Sequence, residues 1–344
     1  MGFFDKVFGT KAAAEATPAD AKTTEARGTV DPHHADMSAA LSMHLRNEVE
    51  PAFSVYVRLQ EELPLGSLAP FFASAIMAGR GEVADAAEKL RALSGRLSTE
   101  EQSFSHVIAT ELVEVMKDQS PLKLPAVAQL IVSFGDLLKK DGFTREAAVC
   151  FEIAAGLASD NAHVLHKLGD TLHDLGMYEY AESVLQEAIK LAPNHWDALY
   201  TYAVLLQDLG RVEEAITHYE KAVRLVPTHV KCQNNFGAAL LTAGRFDDAL
   251  EHCNRAAALD PTAPLVKVNL GNIHLMKQEY DRARACFNEA ISLDATLAQA
   301  YFGLGYVEQL TGGDSGRCRE MYTKAIELNP SVLAFHQALG NLEQ

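Results

Sequence analysis

The chain repeats one pattern of residue types at intervals of 34 residues throughout its C-terminal part. One column of the pattern holds only small residues, namely Gly135, Gly169, Ala203, Gly237, Gly271, Gly305 and, one residue late, Gly340. Half an interval later, two columns made almost entirely of alanine flank a column of larger residues, namely Phe151, Leu185, Tyr219, Cys253, Phe287 and Tyr322. A period of this length encodes one supersecondary unit that cannot bury its apolar face alone, so successive units must stack on one another.

Each period divides into two amphipathic helices separated by turns. The first helix is predicted to end at a turn glycine (Gly142, Gly176, Gly210, Gly244), and the second at a proline (Pro193, Pro227, Pro261, Pro330). We expect the small column to let the two helices approach closely and the large column to fill the space between them. Four departures are expected to loosen individual turns only: Ser159 and Ala295 replace the proline, Gln278 replaces the turn glycine, and "TGGDSGR" inserts one residue.

Stretches such as "LGDTLHDLGMYEYAESVLQEAIKLAP" and "FGAALLTAGRFDDALEHCNRAAALDP" carry these columns most clearly. At these positions the sequence resembles the tetratricopeptide repeat (TPR) family, whose signature joins a Leu-Gly pair on the first helix to an alanine, an aromatic residue and a late proline on the second. The resemblance implies an all-α protein, a right-handed α-solenoid of tandem helix hairpins. It covers residues 126–344, with repeats starting near residues 126, 160, 194, 228, 262 and 296 and a capping helix at 331–344.

Upstream of the repeats the pattern weakens. We expect residues 37–125 to form a helical cap domain, because "LAPFFASAIMAGRGEVADAAEKLRALS" keeps the rhythm of a degenerate TPR-like hairpin out of register. Residues 10–36, rich in Ala, Thr and Pro, are predicted to be a flexible linker.

Residues 1–9 form a short segment that is amphipathic if helical. Its apolar side chains fall on one side, namely Phe3, Phe4, Val7 and Phe8. Such a segment could dock weakly on an anionic membrane surface or in a hydrophobic pocket of a partner. The alternative is a frayed terminus, since a helix this short is marginal in water.

The composition and the motifs of the chain restrict its possible functions. Asp and Glu outnumber Lys and Arg by 46 to 30, and the net charge of -16 disfavours nucleic acid as a partner. The sequence contains no Gly-rich phosphate loop, no HExxH motif and no convincing catalytic triad, so we expect a protein without enzymatic activity, cofactor or metal. Five cysteines without metal-ligand spacing, the lack of a secretory signal and apolar runs too short to span a bilayer predict a cytoplasmic protein. Docking of residues 1–9 would make it peripheral on the inner face of a membrane.

The resemblance places the binding surface on the first helix of each repeat, which lines the concave groove where the family holds segments of partner proteins. By the family pattern the groove residues are His163, His166, Lys167, Asp170, His173, Asp197, Tyr200, Lys231, Asn234, Asn235, Asn269 and Asn272. Asn235 and Asn269 share a column, and some members of the family hold a peptide backbone with such asparagines. The alternative is that these amides only cap local structure or face water.

The sequence gives less support to two other uses of the groove. The family's clamp for a C-terminal carboxylate has candidates in Lys167 and Lys231, but lacks an arginine in the last repeat and meets the wrong charge at Asp170. His163, His166, Asp170 and His173 share one helical face, which leaves a divalent metal or a pH-sensitive groove as alternatives.

The predicted function is therefore a scaffold or adaptor that binds segments of partner proteins and assembles a multiprotein complex. Two alternatives stay open. One is the substrate-recognition subunit of a separate enzyme, such as a glycosyltransferase or methyltransferase. The other is a self-assembling coat, in which the partner is a second copy of the chain.

Overall fold

The computed structural model describes residues 54–55, 124–140 and 142–342, and these residues form helices and turns without any strand. They belong to two compact units that meet in sequence between Pro193 and Asn194. The first unit contains α1 (Leu124–Lys140), α2 (Thr144–Leu157), α3 (Ala162–Asp174) and α4 (Tyr178–Leu191). The predicted segments 1–9 and 10–36, and nearly all of the predicted cap domain 37–125, lie outside the described residues.

The second unit continues the same alternation of helices. It contains α5 (Trp196–Asp208), α6 (Val212–Leu225), α7 (Val230–Thr242), α8 (Phe246–Leu259), α9 (Pro264–Met276), α10 (Tyr280–Leu293), α11 (Ala298–Leu310), α12 (Ser315–Leu328) and α13 (Leu333–Leu342). We call the odd-numbered helices A helices and the even-numbered ones B helices. Each A helix packs against the B helix that follows it, and within the second unit α5, α7, α9 and α11 also contact one another in succession. The all-α fold of tandem helix hairpins is confirmed.

The hairpins are held together by the predicted interlock of small and large residues. A Cβ atom added to Gly271 would lie 2.6 Å from the ring of Phe287, and one added to Gly169 would lie 2.5 Å from Leu185. Atoms that are not bonded to each other do not approach so closely, so these positions admit only hydrogen. The large residues they receive are fully or almost fully buried, and these are Phe151, Leu185, Tyr219, Cys253, Phe287 and Tyr322. The sequence columns therefore correspond to one recurring contact between an A helix and its B helix.

The turns between A and B helices use a left-handed backbone residue. Gly142, Gly176, Gly210 and Gly244 have φ angles of 88°, 72°, 77° and 77°, which glycine adopts without steric cost. At the corresponding place after α9 stands Gln278, with φ 62°. The departure seen in the sequence therefore leaves the turn intact and places a side chain in a strained backbone conformation.

We expect the substitution Gln278→Gly to stabilise the second unit by about 1 kcal/mol, because glycine removes the steric cost of a left-handed residue at little entropic loss in a turn. Urea denaturation measured by circular dichroism tests this. The matched control is Gly244→Gln, which introduces the same strain at the equivalent turn and should destabilise by a similar amount. Equal midpoints for all three proteins would contradict the expectation.

The turns between B and A helices are closed by side chains. Asp260 Oδ1 accepts hydrogen bonds from the backbone N–H of Thr262 at 2.9 Å and from its hydroxyl at 2.7 Å. Asp294 makes the same two bonds to Thr296, at 2.8 and 2.6 Å. The lack of proline at Ala295 therefore does not loosen that turn, since an aspartate that binds the backbone two residues ahead fixes it independently.

The last helix, α13, covers the end of the second unit. Phe335 is 1% exposed and packs in a cluster with Phe302 and Tyr322, while Leu339 and Leu342 pack against the edge of that cluster. The sequence also predicts that Leu333 packs inward, which is wrong: its side chain is 67% exposed. Leu333 is the first residue of the helix.

Candidate functional site: the A-helix face

The predicted groove residues that the structure describes divide between the two units. In the first unit α3 carries His163, His166, Lys167, Asp170 and His173. In the second unit α5 carries Asp197 and Tyr200, α7 carries Lys231, Asn234 and Asn235, and α9 carries Asn269 and Asn272. We describe each unit's A-helix face by itself.

The charged residues of the first unit pair with one another. Lys139 on α1 lies 2.6 Å from Asp170 and 2.7 Å from Asp174 on α3, and Lys167 on α3 lies 2.7 Å from Asp136 on α1. Burial by itself would lower the pKa of Lys139, but the charges and hydrogen bonds of the two aspartates outweigh it, so the pKa lies above its ordinary value. Lys167 and Asp170 therefore form ion pairs that connect neighbouring repeats, and a ligand would have to compete with these pairs for their charges.

The histidines of α3 do not gather into a metal site. The rings of His163 and His166 are 6.4 Å apart between centroids, and His173 lies beside the ring of Tyr178 at 5.8 Å. Throughout the part of the chain that the structure describes, no three residues of the types His, Cys, Asp and Glu are placed to hold a metal ion.

In the second unit the polar residues form a row of hydrogen bonds that crosses three successive A helices. Asn269 Nδ2 on α9 donates to Asn234 Oδ1 on α7 at 2.9 Å, and Asn234 Nδ2 donates to Asn235 Oδ1 at 3.3 Å. Asn235 Nδ2 then donates to the hydroxyl of Tyr200 on α5 at 2.9 Å. We call these four residues the amide row.

The amide row is partly exposed and chemically neutral. Asn235, Asn269 and Tyr200 are half-buried, while Asn234 is buried. One turn beyond Asn269, Asn272 is 4% exposed, and its Oδ1 makes no hydrogen bond to the described residues. A buried amide oxygen without a donor is costly, and because this atom is enclosed by the protein, it is not part of the surface that a ligand can reach.

Apolar and charged side chains flank the amide row. Leu265, the second residue of α9, exposes 42% of its surface. Lys231 on α7 is exposed and Asp197 on α5 is half-exposed. A chain segment lying along the row would thus meet neutral amides in the middle and single charges at the side.

Reasoning from sequence missed how these residues are connected. It treats Asn235 and Asn269 as separate rungs, whereas Asn234 links them, and it does not single out Lys139 or Asp136. A signal for the ion pairs was present, since two of the three, Lys139 with Asp170 and Asp136 with Lys167, join residues 31 apart in sequence. That separation connects the last turn of one A helix to the middle of the next.

Comparison with known families decides the identity. Family models described as tetratricopeptide repeat match residues 197–262, 240–304 and 298–332. The chain is a tetratricopeptide repeat protein. A further model, described as anaphase-promoting complex, cyclosome, subunit 3, matches residues 141–222 of this TPR protein. None of the curated proteins matches its sequence.

Solved structures agree on the fold. PilF from Pseudomonas aeruginosa is 17% identical, with a TM-score of 0.53, over 62% of this TPR protein and 97% of its own chain. A tetratricopeptide repeat protein from Parabacteroides merdae is 17% identical, with a TM-score of 0.52, over 79% of this chain and 96% of its own. At these identities the likeness concerns the fold alone. Among the described residues, no helix is both long and apolar enough to cross a bilayer.

Proposed function

We propose that this TPR protein is a non-enzymatic scaffold that holds an extended segment of a partner protein along the A-helix face of its second unit. The observation that carries the proposal is the amide row, which runs across α5, α7 and α9 as a continuous line of hydrogen-bonding groups. A peptide backbone carries alternating donors and acceptors along its length. Each side-chain amide has both a donor and an acceptor, so a line of amides can pair with the backbone groups of a bound segment whatever its side chains are.

The internal bonds of the row favour this use. Because the four side chains hold one another in place, they lose little rotational freedom when a ligand binds, which lowers the entropic cost of binding. The ion pairs of the first unit, in contrast, connect α1 to α3, so we assign that region a structural role.

The test begins with capture of partners by the full chain in its own cell extract, followed by cross-linking and measurement of the affinity of the segment that is found. We expect the double substitution Asn235→Ala and Asn269→Ala to weaken binding of that segment by about 1 to 3 kcal/mol, because each lost amide leaves a partner group unpaired. Isothermal titration calorimetry measures the change.

The matched control is the double substitution Asn254→Ala and Asn288→Ala. These asparagines are also one repeat apart, but both are exposed on B helices, so affinity should be unchanged. Circular dichroism confirms that both double variants remain folded. If the two variants bind the partner equally well, the amide row is not the binding surface.

A further inference from the structure

A cavity opens in the second unit between two consecutive B helices. It lies between α6 and α8, with α7 beneath, and its volume is about 310 Å³. Ile216 and Val223 of α6 and Phe236 and Leu240 of α7 line its floor, and each exposes at most 7% of its surface. This volume is at the lower end of the range for ligand sites, which suits a single large side chain.

Three pairs of opposite charges surround the cavity. Arg224 lies 2.5 Å from Glu220, Arg245 lies 2.6 Å from Asp248, and Arg255 pairs with Glu251. Each pair is formed within one turn of its own helix and is exposed to solvent. The rim is therefore neutral overall although the whole chain has a net charge of -16. A strongly charged ligand gains little from such a rim, whereas an aromatic ring can lie against a guanidinium group.

The neighbouring hydrogen bonds fix the protonation of His252, which also lines the cavity. Gln233 Nε2 donates to the carbonyl oxygen of Pro227 at 2.7 Å, and a carbonyl can only accept, so Gln233 Oε1 faces His252 Nδ1, 2.7 Å away. Nδ1 must therefore carry the hydrogen. In the neutral ring Nε2 is then an acceptor, and it makes no hydrogen bond to the described residues.

The surroundings of His252 favour the neutral ring and hold it in place. Burial, assisted by the nearby charge of Arg255, lowers the pKa of the ring, against the opposing effects of Glu251 and Asp248. The ring also packs on Phe236, with 4.4 Å between centroids. The acceptor is thus held in a defined position at the wall of the cavity.

Two repeats later, the space that corresponds to this cavity is occupied by side chains. Arg284 stands at the position that corresponds to Ile216, and Glu308 at the position of Leu240. Their side chains meet at 3.0 Å, and Arg284 also donates to Thr311. An ion pair thus occupies the space there, whereas between α6 and α8 two aliphatic side chains leave it open.

We propose that this cavity is a second docking site, which receives one aromatic side chain with a hydrogen-bond donor, a tryptophan or a tyrosine, from a partner protein. The ring lies on Ile216, Val223 and Phe236, and its N–H or O–H group donates to His252 Nε2. The exposed guanidinium groups of the rim cover the face of the ring. A phenylalanine side chain carries no donor and therefore leaves the Nε2 acceptor unused. Because the cavity is lined by none of the residues of the amide row, a partner can hold it while the amide row is occupied.

The test uses the full chain with 15N-labelled histidine and long-range 1H–15N NMR of the ring nitrogens. The His252 signals are assigned by their loss in the substitution His252→Phe. In the free protein we expect the Nδ1–H tautomer for His252. Titration with N-acetyl-tryptophanamide or N-acetyl-tyrosinamide should shift its Nε2 resonance. N-acetyl-phenylalaninamide should bind roughly three- to tenfold more weakly, which is the typical effect of one hydrogen bond.

Two controls make the result specific. His218 occupies the same column one repeat earlier and lies against Tyr202 at 4.8 Å, so its signals should not move. The substitution Ile216→Phe fills the cavity from within and should abolish binding of all three amides while the His252 tautomer is kept. The proposal is overturned if free His252 carries its hydrogen on Nε2, if the phenylalanine derivative binds as tightly as the others, or if Ile216→Phe binds them unchanged.

Discussion

Phe287→Ala should destabilise the second unit by about 3 to 5 kcal/mol, the largest effect we expect from a single substitution in this protein. The side chain of Phe287 is fully buried, and it lies against both Gly271 of its own hairpin and Gly303 of the next. Because glycine has no side chain, neither position can move into the space that the ring leaves. The cavity therefore persists, and two consecutive repeats lose contacts together.

Two measurements check this expectation. Urea denaturation can be followed through the fluorescence of Trp196, since the chain contains one tryptophan and it lies in the second unit. Hydrogen exchange then shows whether α9, α10 and α11 lose protection. The control is Leu293→Ala on the same helix, where the side chain is 43% exposed and the expected loss is below about 1 kcal/mol. Similar losses for both variants would contradict the assignment of Phe287 as the main contact.

Gly271→Ala should destabilise the second unit by about 1 to 3 kcal/mol, although alanine is the better helix former. The added methyl group would lie 2.6 to 2.9 Å from three atoms of the Phe287 ring. That ring is fully buried and cannot turn aside without displacing other core residues. The cost of overpacking is therefore larger than the gain in helix propensity. The same denaturation measurement reports the difference.

Gly340 provides the matched comparison for this substitution. It belongs to the same sequence column as Gly271, one residue late, and lies on α13, with nothing within 4 Å of the position that a Cβ atom would occupy. We expect Gly340→Ala to stabilise the protein by up to about 1 kcal/mol, through helix propensity alone. If both substitutions change stability in the same direction, close packing is not the reason for glycine in this column.

The two proposed binding surfaces differ in how they can be recognised. The amide row is visible in part from sequence, because Asn235 and Asn269 share a column on the A helices. The cavity is not, because Ile216, Leu240 and His252 are unremarkable helix residues when read along the chain. The cavity depends on the distance between α6 and α8, and on the shared orientation of Gln233 and His252.

The sequence by itself determined the fold of the repeats. The period of 34 residues, broken by a single inserted residue, keeps the small and large columns in fixed register. Each A helix can therefore pack against its B helix in one way, since any other pairing would place large side chains against each other. The turn after α9 keeps the same left-handed conformation although Gln278 replaces glycine there. The packing of the helices on both sides outweighs about 1 kcal/mol of backbone strain.

Only the tertiary structure decided which polar side chains are available to a ligand. Whether Lys167 is a free cation or the partner of Asp136, and whether Asn269 stands alone or donates to Asn234, depends on side chains from a different repeat. Likewise, Leu333 is 67% exposed although its apolar character is the same as that of buried leucines. Periodicity specifies the contacts that every repeat shares, whereas hydrogen bonds and ion pairs depend on individual atoms that differ from one repeat to the next.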